Sequence, residues 1–191
     1  EGAPGFTLME IWDHSGLIAR IVIVLLILMS LATAVVLVER FIAFQRARGH
    51  SVKVAMAIVR PMQSYDLDKA IGIASDEAYR AGYLAHMLRA GLSEMKERPN
   101  ATGIHNAERA LDKVSGEQLA KLKRWFGLLA SVGSTAPFVG LAGTTFGVIN
   151  AFQGMAQEGA GLAGISGGIS EALITTFIGI VVAILGVWVF N

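Results

Sequence analysis

The sequence predicts an all-α membrane protein with three transmembrane helices. Long helices extend from the spans into a cytoplasmic helical region, and the whole assembles as a homo-oligomer. Three observations carry this. Of 191 residues, 53% are hydrophobic and only 16% charged, with a mean hydropathy of +0.55, a combination soluble domains rarely show. Three uncharged or nearly uncharged runs are long enough to cross a bilayer, which takes about 20 residues. Finally, 15 of the 16 basic residues lie between Arg40 and Arg124.

The runs are Leu17–Val38, interrupted only by Arg20; Trp125–Gln157, without charge over 33 residues; and Ala172–Phe190, without charge over 19. The second would measure about 50 Å as a helix and overshoot a core of about 30 Å, so it should project or tilt. Arg40, Arg46 and Arg48 flank the end of the first run, and Lys121, Lys123 and Arg124 the start of the second. The positive-inside rule puts the stretch between them in the cytoplasm, with the N-terminus outside and the C-terminus inside. Arg20 can snorkel outward.

The segments follow in order. Residues 1–16 form a periplasmic, interfacial stretch, acidic and mildly amphipathic. Its first residue is Glu1, so a processed or partial start is expected; the first apolar run has no basic flank of the signal-peptide kind. Residues 17–48 are the first transmembrane helix and its cytoplasmic extension. No glycine occurs between Leu17 and Arg48, and the Leu, Ile and Val density suits lipid. Residues 49–124 are a cytoplasmic helical region with Asp66 as an N-cap, a helix from Tyr83 to Lys96, and another from Ile104 running straight into the second span. This region is too charged for a large core of its own and should pack on copies of itself. Residues 125–157 are the second transmembrane helix, 158–167 a periplasmic loop, and 168–191 the third transmembrane helix, ending at about Asn191 with little or no tail.

The last two spans differ from the first. Gly133, Pro137, Gly140, Thr144, Gly147, Ala151 and Gly154 recur at 4-3 spacing on the second. Ala172, Thr176, Gly179, Ala183 and Gly186 do so on the third. Such stripes let helix backbones approach in lipid, where apolar burial gives no net drive. Gly143 adds a close-approach point with Gly147, and Pro137 removes one backbone hydrogen bond. Thr144, Thr145, Thr175 and Thr176 place hydroxyls near mid-span. Each could bond back to its own helix, yet two pairs on two striped helices point to a polar lumen. Glu171 is the carboxylate at the mouth of the third span, a pathway group or a helix N-terminal carboxylate exposed to water. No Asp, Glu, Lys or His occupies the centre of any span, so a titrating group for an ion path should come from a partner.

Other chemistry finds little support. There is no cysteine and net charge is +1, which excludes disulfides and gives no support to nucleic-acid binding. His14, His50, His86 and His105 are scattered, so no metal or catalytic site is expected. Gly159, Gly161 and Gly164 fit a dinucleotide pattern, but no strand precedes them. Neither an enzyme nor a cofactor is expected.

Thr135–Thr144 with Phe146–Ile149, Gly168–Thr176, and Tyr83–Leu92 give the chain its resemblance to the MotA/TolQ/ExbB proton-channel family, in its ExbB/TolQ-like branch. The resemblance covers nearly the whole chain. It implies a homopentamer in the bacterial inner membrane, with the second and third spans lining a pore and the first facing lipid. It implies an ExbD/TolR-like single-span partner that supplies a membrane aspartate, and a TonB-like or Tol-Pal-like periplasmic partner that receives the work. Thr144 and Thr176 match the family's pore threonines, and Glu171 its carboxylate. The doubled threonines resemble those of sodium-driven stators, so sodium stands beside protons as the conducted ion. A passive scaffold, its stripes serving only oligomer packing, is the structural alternative; a secondary transporter with its own substrate site needs more than three spans.

Overall fold

The computed structural model describes residues 16–158 and 162–191. The interfacial segment expected at residues 1–15 and the glycines at 159 and 161 lie outside the described residues. Among the described residues six α-helices follow in order: α1 (Leu17–Gln63), α2 (Leu67–Ser75), α3 (Tyr83–Glu97), α4 (Ala101–Leu122), α5 (Phe126–Glu158) and α6 (Leu162–Phe190), with a 3-10 turn at Glu77–Tyr79. No strand occurs among the described residues. Among the described residues three helices contain stretches long and apolar enough to cross a membrane: α1, Phe126–Gly154 of α5 and Ser166–Phe190 of α6. Two compact units divide at Leu37/Val38 and Arg124/Trp125.

The first unit holds the N-terminal half of α1 with α5 and α6. Its core is Val22, Leu26, Val132, Ala136, Val182 and Ala183. Outside that seam the large side chains of α1 point outward: Ile21, Ile27, Leu28, Leu31, Val35 and Leu37 are all exposed. A helix apolar all round belongs in a larger assembly or in lipid. α5 and α6 are antiparallel, and the rings of Phe126 and Phe190 meet where one helix begins and the other ends, 5.7 Å apart. α5 stays helical through Pro137.

The second unit, Val38–Arg124, combines the rest of α1 with α2, α3 and α4. Ile58, Ala70 and Leu92 form its buried apolar cluster. Helix starts are capped as their sequences dictate: Asp66 accepts from Lys69 N and Asn100 from Gly103 N, both at 3.0 Å, each satisfying an orphan donor of a first turn. α3 has no such residue at Gly82, and buried Ser51 of α1 accepts from Leu84 N instead (3.3 Å). A β-carbon on Gly82 would lie 2.8 Å from Ser51 N, so glycine is what admits α1 there.

Three boundaries differ from the sequence expectation. Gly49 does not end α1, which runs on to Gln63 and stops in a Schellman turn. There Asp66 N donates to Pro61 O and Tyr65 N to Met62 O, with Tyr65 left-handed at φ 55°. α6 begins at Leu162 rather than Gly168, so the described end of the expected loop is helical. The third difference is a correction: α4 does not run straight into α5. The helix stops at Leu122, and Trp125 adopts φ 72° before α5 begins. Neither glycine nor proline marks that break, and a left-handed tryptophan costs roughly 1–2 kcal/mol. Beside this break lies Arg40, only 8% exposed. Its Nη1 donates to the carbonyl oxygens of Lys121 (3.0 Å) and Leu122 (3.2 Å), which in an unbroken helix accept from residues 125 and 126. Lys121 O also accepts from Arg124 N at 3.3 Å.

Gly103 supplies a test of the second unit. A β-carbon there would sit 1.7 Å from Arg98 O, on backbone that cannot swing aside as a side chain could. Gly103→Ala is expected to destabilise the cytoplasmic helices by roughly 1–3 kcal/mol, read as a lower thermal unfolding midpoint.

Candidate functional site on the paired glycine helices

The two small-residue stripes meet each other. Along the antiparallel pair, a β-carbon on Gly133 would lie 2.7 Å from Val187, one on Gly147 2.9 Å from Ala172, and one on Gly168 2.6 Å from Ala151. At the tightest crossing a β-carbon on Gly179 would be 2.7 Å from Ala136 O and 3.0 Å from Gly140 Cα. Gly186 lies against Gly133, and buried Ala183 turns its carbonyl toward the same glycine. Only glycine and alanine allow backbones this close. Pro137, half-buried, continues the stripe between Gly133 and Gly140.

Midway along this ladder lies one polar spot. The hydroxyls of Thr144 and Thr176 hydrogen-bond each other across the two helices. Thr144 also reaches Ala172 O at 3.0 Å and its own Gly140 O at 3.3 Å. Thr176 reaches Gly140 O at 3.2 Å. Two hydroxyls thus share two main-chain carbonyls, one from each helix. Both threonines are half-buried, so the spot is neither sealed nor fully open.

The other threonines are placed differently. Thr175 is 0% exposed. It donates to Ala172 O at 2.7 Å, and a β-carbon on Gly143 would meet its hydroxyl and Val22 of α1. Thr145 is exposed, about 100° round α5 from Thr144, and bonds back to Leu141 O at 2.9 Å. Thr175 also reaches Gly140 O at 3.4 Å, so it shares both carbonyls with Thr144 and Thr176, and of the four threonines Thr145 alone stands apart. Glu171 is half-buried, one residue before Ala172, whose carbonyl Thr144 uses.

Such a site can pass a hydrogen bond along hydroxyls and carbonyls but cannot titrate, since threonine has no ionisation near neutral pH. A proton crossing it needs a carboxylate beside it. Among the described residues no three of His, Cys, Asp and Glu lie together as metal ligands would. Sequence reasoning missed Arg40. Its only signal was position, directly after an apolar run, where it reads as an ordinary flanking charge.

Comparison with known proteins places the site in a family. The model of the MotA/TolQ/ExbB proton channel family matches residues 80–191, which contain both striped helices. A Tol-Pal system protein TolQ from Pseudomonas aeruginosa is 31% identical over 195 residues, covering 94% of this chain and 83% of that protein. A biopolymer transport protein ExbB from Salmonella typhimurium is 31% identical over 198 residues, covering 96% and 77%. An ExbB from Pseudomonas putida is 36% identical over 124 residues; that match spans 62% of this chain but only 38% of the relative. With its two polar-spotted helices inside the matched region and whole-length relatives of both names, the chain belongs to the MotA/TolQ/ExbB proton channel family, in its ExbB/TolQ-like branch.

Proposed function

We infer that the chain is an ion-conducting subunit of a proton-motive-force-driven motor in the bacterial inner membrane, and not an enzyme. It works as a homopentamer around an ExbD/TolR-like single-span partner that supplies the membrane aspartate, and it energises a TonB-like or Tol-Pal-like periplasmic process. The N-terminus is periplasmic; the main loop and the C-terminus are cytoplasmic. The observation that carries this reading is the Thr144–Thr176 pair, a polar spot in the middle of an otherwise Gly/Ala-lined helix contact. A contact built only for packing has no need of hydroxyls there. Glu171 serves as the carboxylate of the pathway, and no cofactor is required.

Protons are the ion that the family's description names, and sodium is the alternative. A sodium site needs several oxygens converging at one point; Thr144, Thr175 and Thr176 converge on the carbonyls of Gly140 and Ala172, whereas Thr145 turns to another face of α5. Reconstitution of the chain with its single-span partner in vesicles tests both points. Flux is expected under an inward pH gradient at equal sodium on both sides, and Thr145→Val is expected to keep it within about two-fold, a surface-type change. Flux that follows sodium and ignores pH assigns the other ion. No flux under either gradient favours the passive scaffold.

A further inference from the structure

Of the three hydroxyls gathered at the Gly140 and Ala172 carbonyls, that of Thr175 alone is fully buried. A β-carbon on Gly143 would lie 2.7 Å from its oxygen and 3.0 Å from Val22 Cγ1, so α5 and α1 wall it in. It reaches Ala172 O at 2.7 Å and Gly140 O at 3.4 Å. The first distance is that of a good hydrogen bond and the second lies at the outer limit of one. A buried hydroxyl without an acceptor costs about 1–3 kcal/mol, so the Thr175 proton stays on Ala172 O.

That choice constrains the other two protons. Each carbonyl has two lone pairs. Within its helix each gives one to the amide four residues on, Thr144 N for Gly140 O and Thr176 N for Ala172 O. Three hydroxyls then compete for the lone pairs that remain. Thr175 holds Ala172 O at 2.7 Å, against 3.0 Å for Thr144. Thr176 reaches Gly140 O at 3.2 Å, against 3.3 Å for Thr144. Thr144 is left with the Thr176 oxygen as its acceptor.

We propose that Thr175 is a positioning residue: by occupying Ala172 O it gives the Thr144–Thr176 bond one direction, Thr144 donating to Thr176 and Thr176 to Gly140 O. The inference rests on the ion-path reading of that pair. With its proton committed to Thr176, the half-buried Thr144 oxygen is an acceptor ready for an incoming O–H. Without the Thr175 hydroxyl, Ala172 O opens to Thr144, Thr176 can donate to Thr144 instead, and the fixed direction is lost.

The test uses the full chain with its single-span partner in vesicles. Thr175→Val keeps the branched shape and removes the donor, and pH-driven flux is expected to fall about 10-fold while the oligomer still forms. Thr175→Ser keeps the donor and loses a methyl group; it is expected to lower the thermal midpoint yet hold flux within about two-fold of wild type. A purely structural role reverses that order, because flux would then follow stability. Wild-type flux in Thr175→Val, or an equal loss in Thr175→Ser, overturns the proposal. If Thr175→Val does not assemble, Thr175→Ala removes the same donor without setting a methyl group against Ala172 O. A 10-fold loss there supports the proposal and wild-type flux overturns it, the size being about 1.4 kcal/mol at the barrier. Thr176→Val, measured beside them, separates two failures. Flux lost in Thr176→Val but kept in Thr175→Val strikes the positioning role alone, whereas flux kept in Thr176→Val strikes the ion-path reading and this proposal with it.

Discussion

Thr176→Val abolishes partner-dependent ion flux while the oligomer still assembles: this is the largest functional effect expected. Valine matches threonine in shape and lacks the hydroxyl. The substitution removes the bond across to Thr144 and the one to Gly140 O. The remaining polar atoms keep partners, since the Thr144 hydroxyl can donate to Ala172 O and Gly140 O stays within the hydrogen-bond ladder of α5. The stability cost therefore stays near that of one hydrogen bond, about 1 kcal/mol, while flux should fall by at least about 100-fold, equivalent to about 3 kcal/mol at the barrier. Thr144→Val should do the same. The double variant should be no worse than either single, because the two side chains form one unit. Flux in vesicles and oligomer mass in detergent check these together. Flux near wild type in Thr176→Val would remove the pair from the pathway.

The largest structural effect is expected at Gly179. Leucine there would drive its first carbon into Ala136 O and Gly140 Cα, both backbone atoms of α5. No rotamer avoids a clash made by the β-carbon itself, so the helices must separate along their length. The cost exceeds the roughly 1–3 kcal/mol of ordinary overpacking, and Gly179→Leu should yield no stable oligomer. Gly179→Ala should lower the thermal midpoint and leave some assembly. By contrast, Gly127→Ala, with open space beyond its α-carbon, should be silent. Size-exclusion profiles and thermal midpoints in one detergent read all three, and a well-assembled Gly179→Leu protein would refute the ladder.

Both effects concern residues visible in the sequence, and that has a physical reason. A helix pair in lipid can come close only through small side chains, so Gly133, Gly140, Gly147, Gly179 and Gly186 mark the contact by their spacing alone. Thr144 and Thr176 stand out because they interrupt those stripes. The cap at Asp66 was legible for the same local reason, since its side chain serves a backbone amide three residues on. What was hidden depended on distant partners. The carbonyls at the break before α5 are bonded by Arg40, more than 80 residues earlier in the chain, so helical periodicity across it gave no warning. Thr145 looked as close to the site as Thr144 because neighbours in sequence seem close. On a helix, adjacent residues point about 100° apart, and only the packing of α1 against Gly143 and Thr175 decides which hydroxyl is buried.

The glycine ladder also restricts how this protein can move. Between Gly133 and Gly168 the facing surfaces of α5 and α6 leave no room for a side chain at several successive levels. If either helix rolled about its own axis, it would bring a larger residue such as Phe138 or Ile180 toward the partner's backbone, and sliding by a residue would do the same. The pair therefore behaves as a single stave. Under the proposed function, a path past Thr144 and Thr176 would open by shifting such staves as rigid wholes rather than by parting the two helices of one stave.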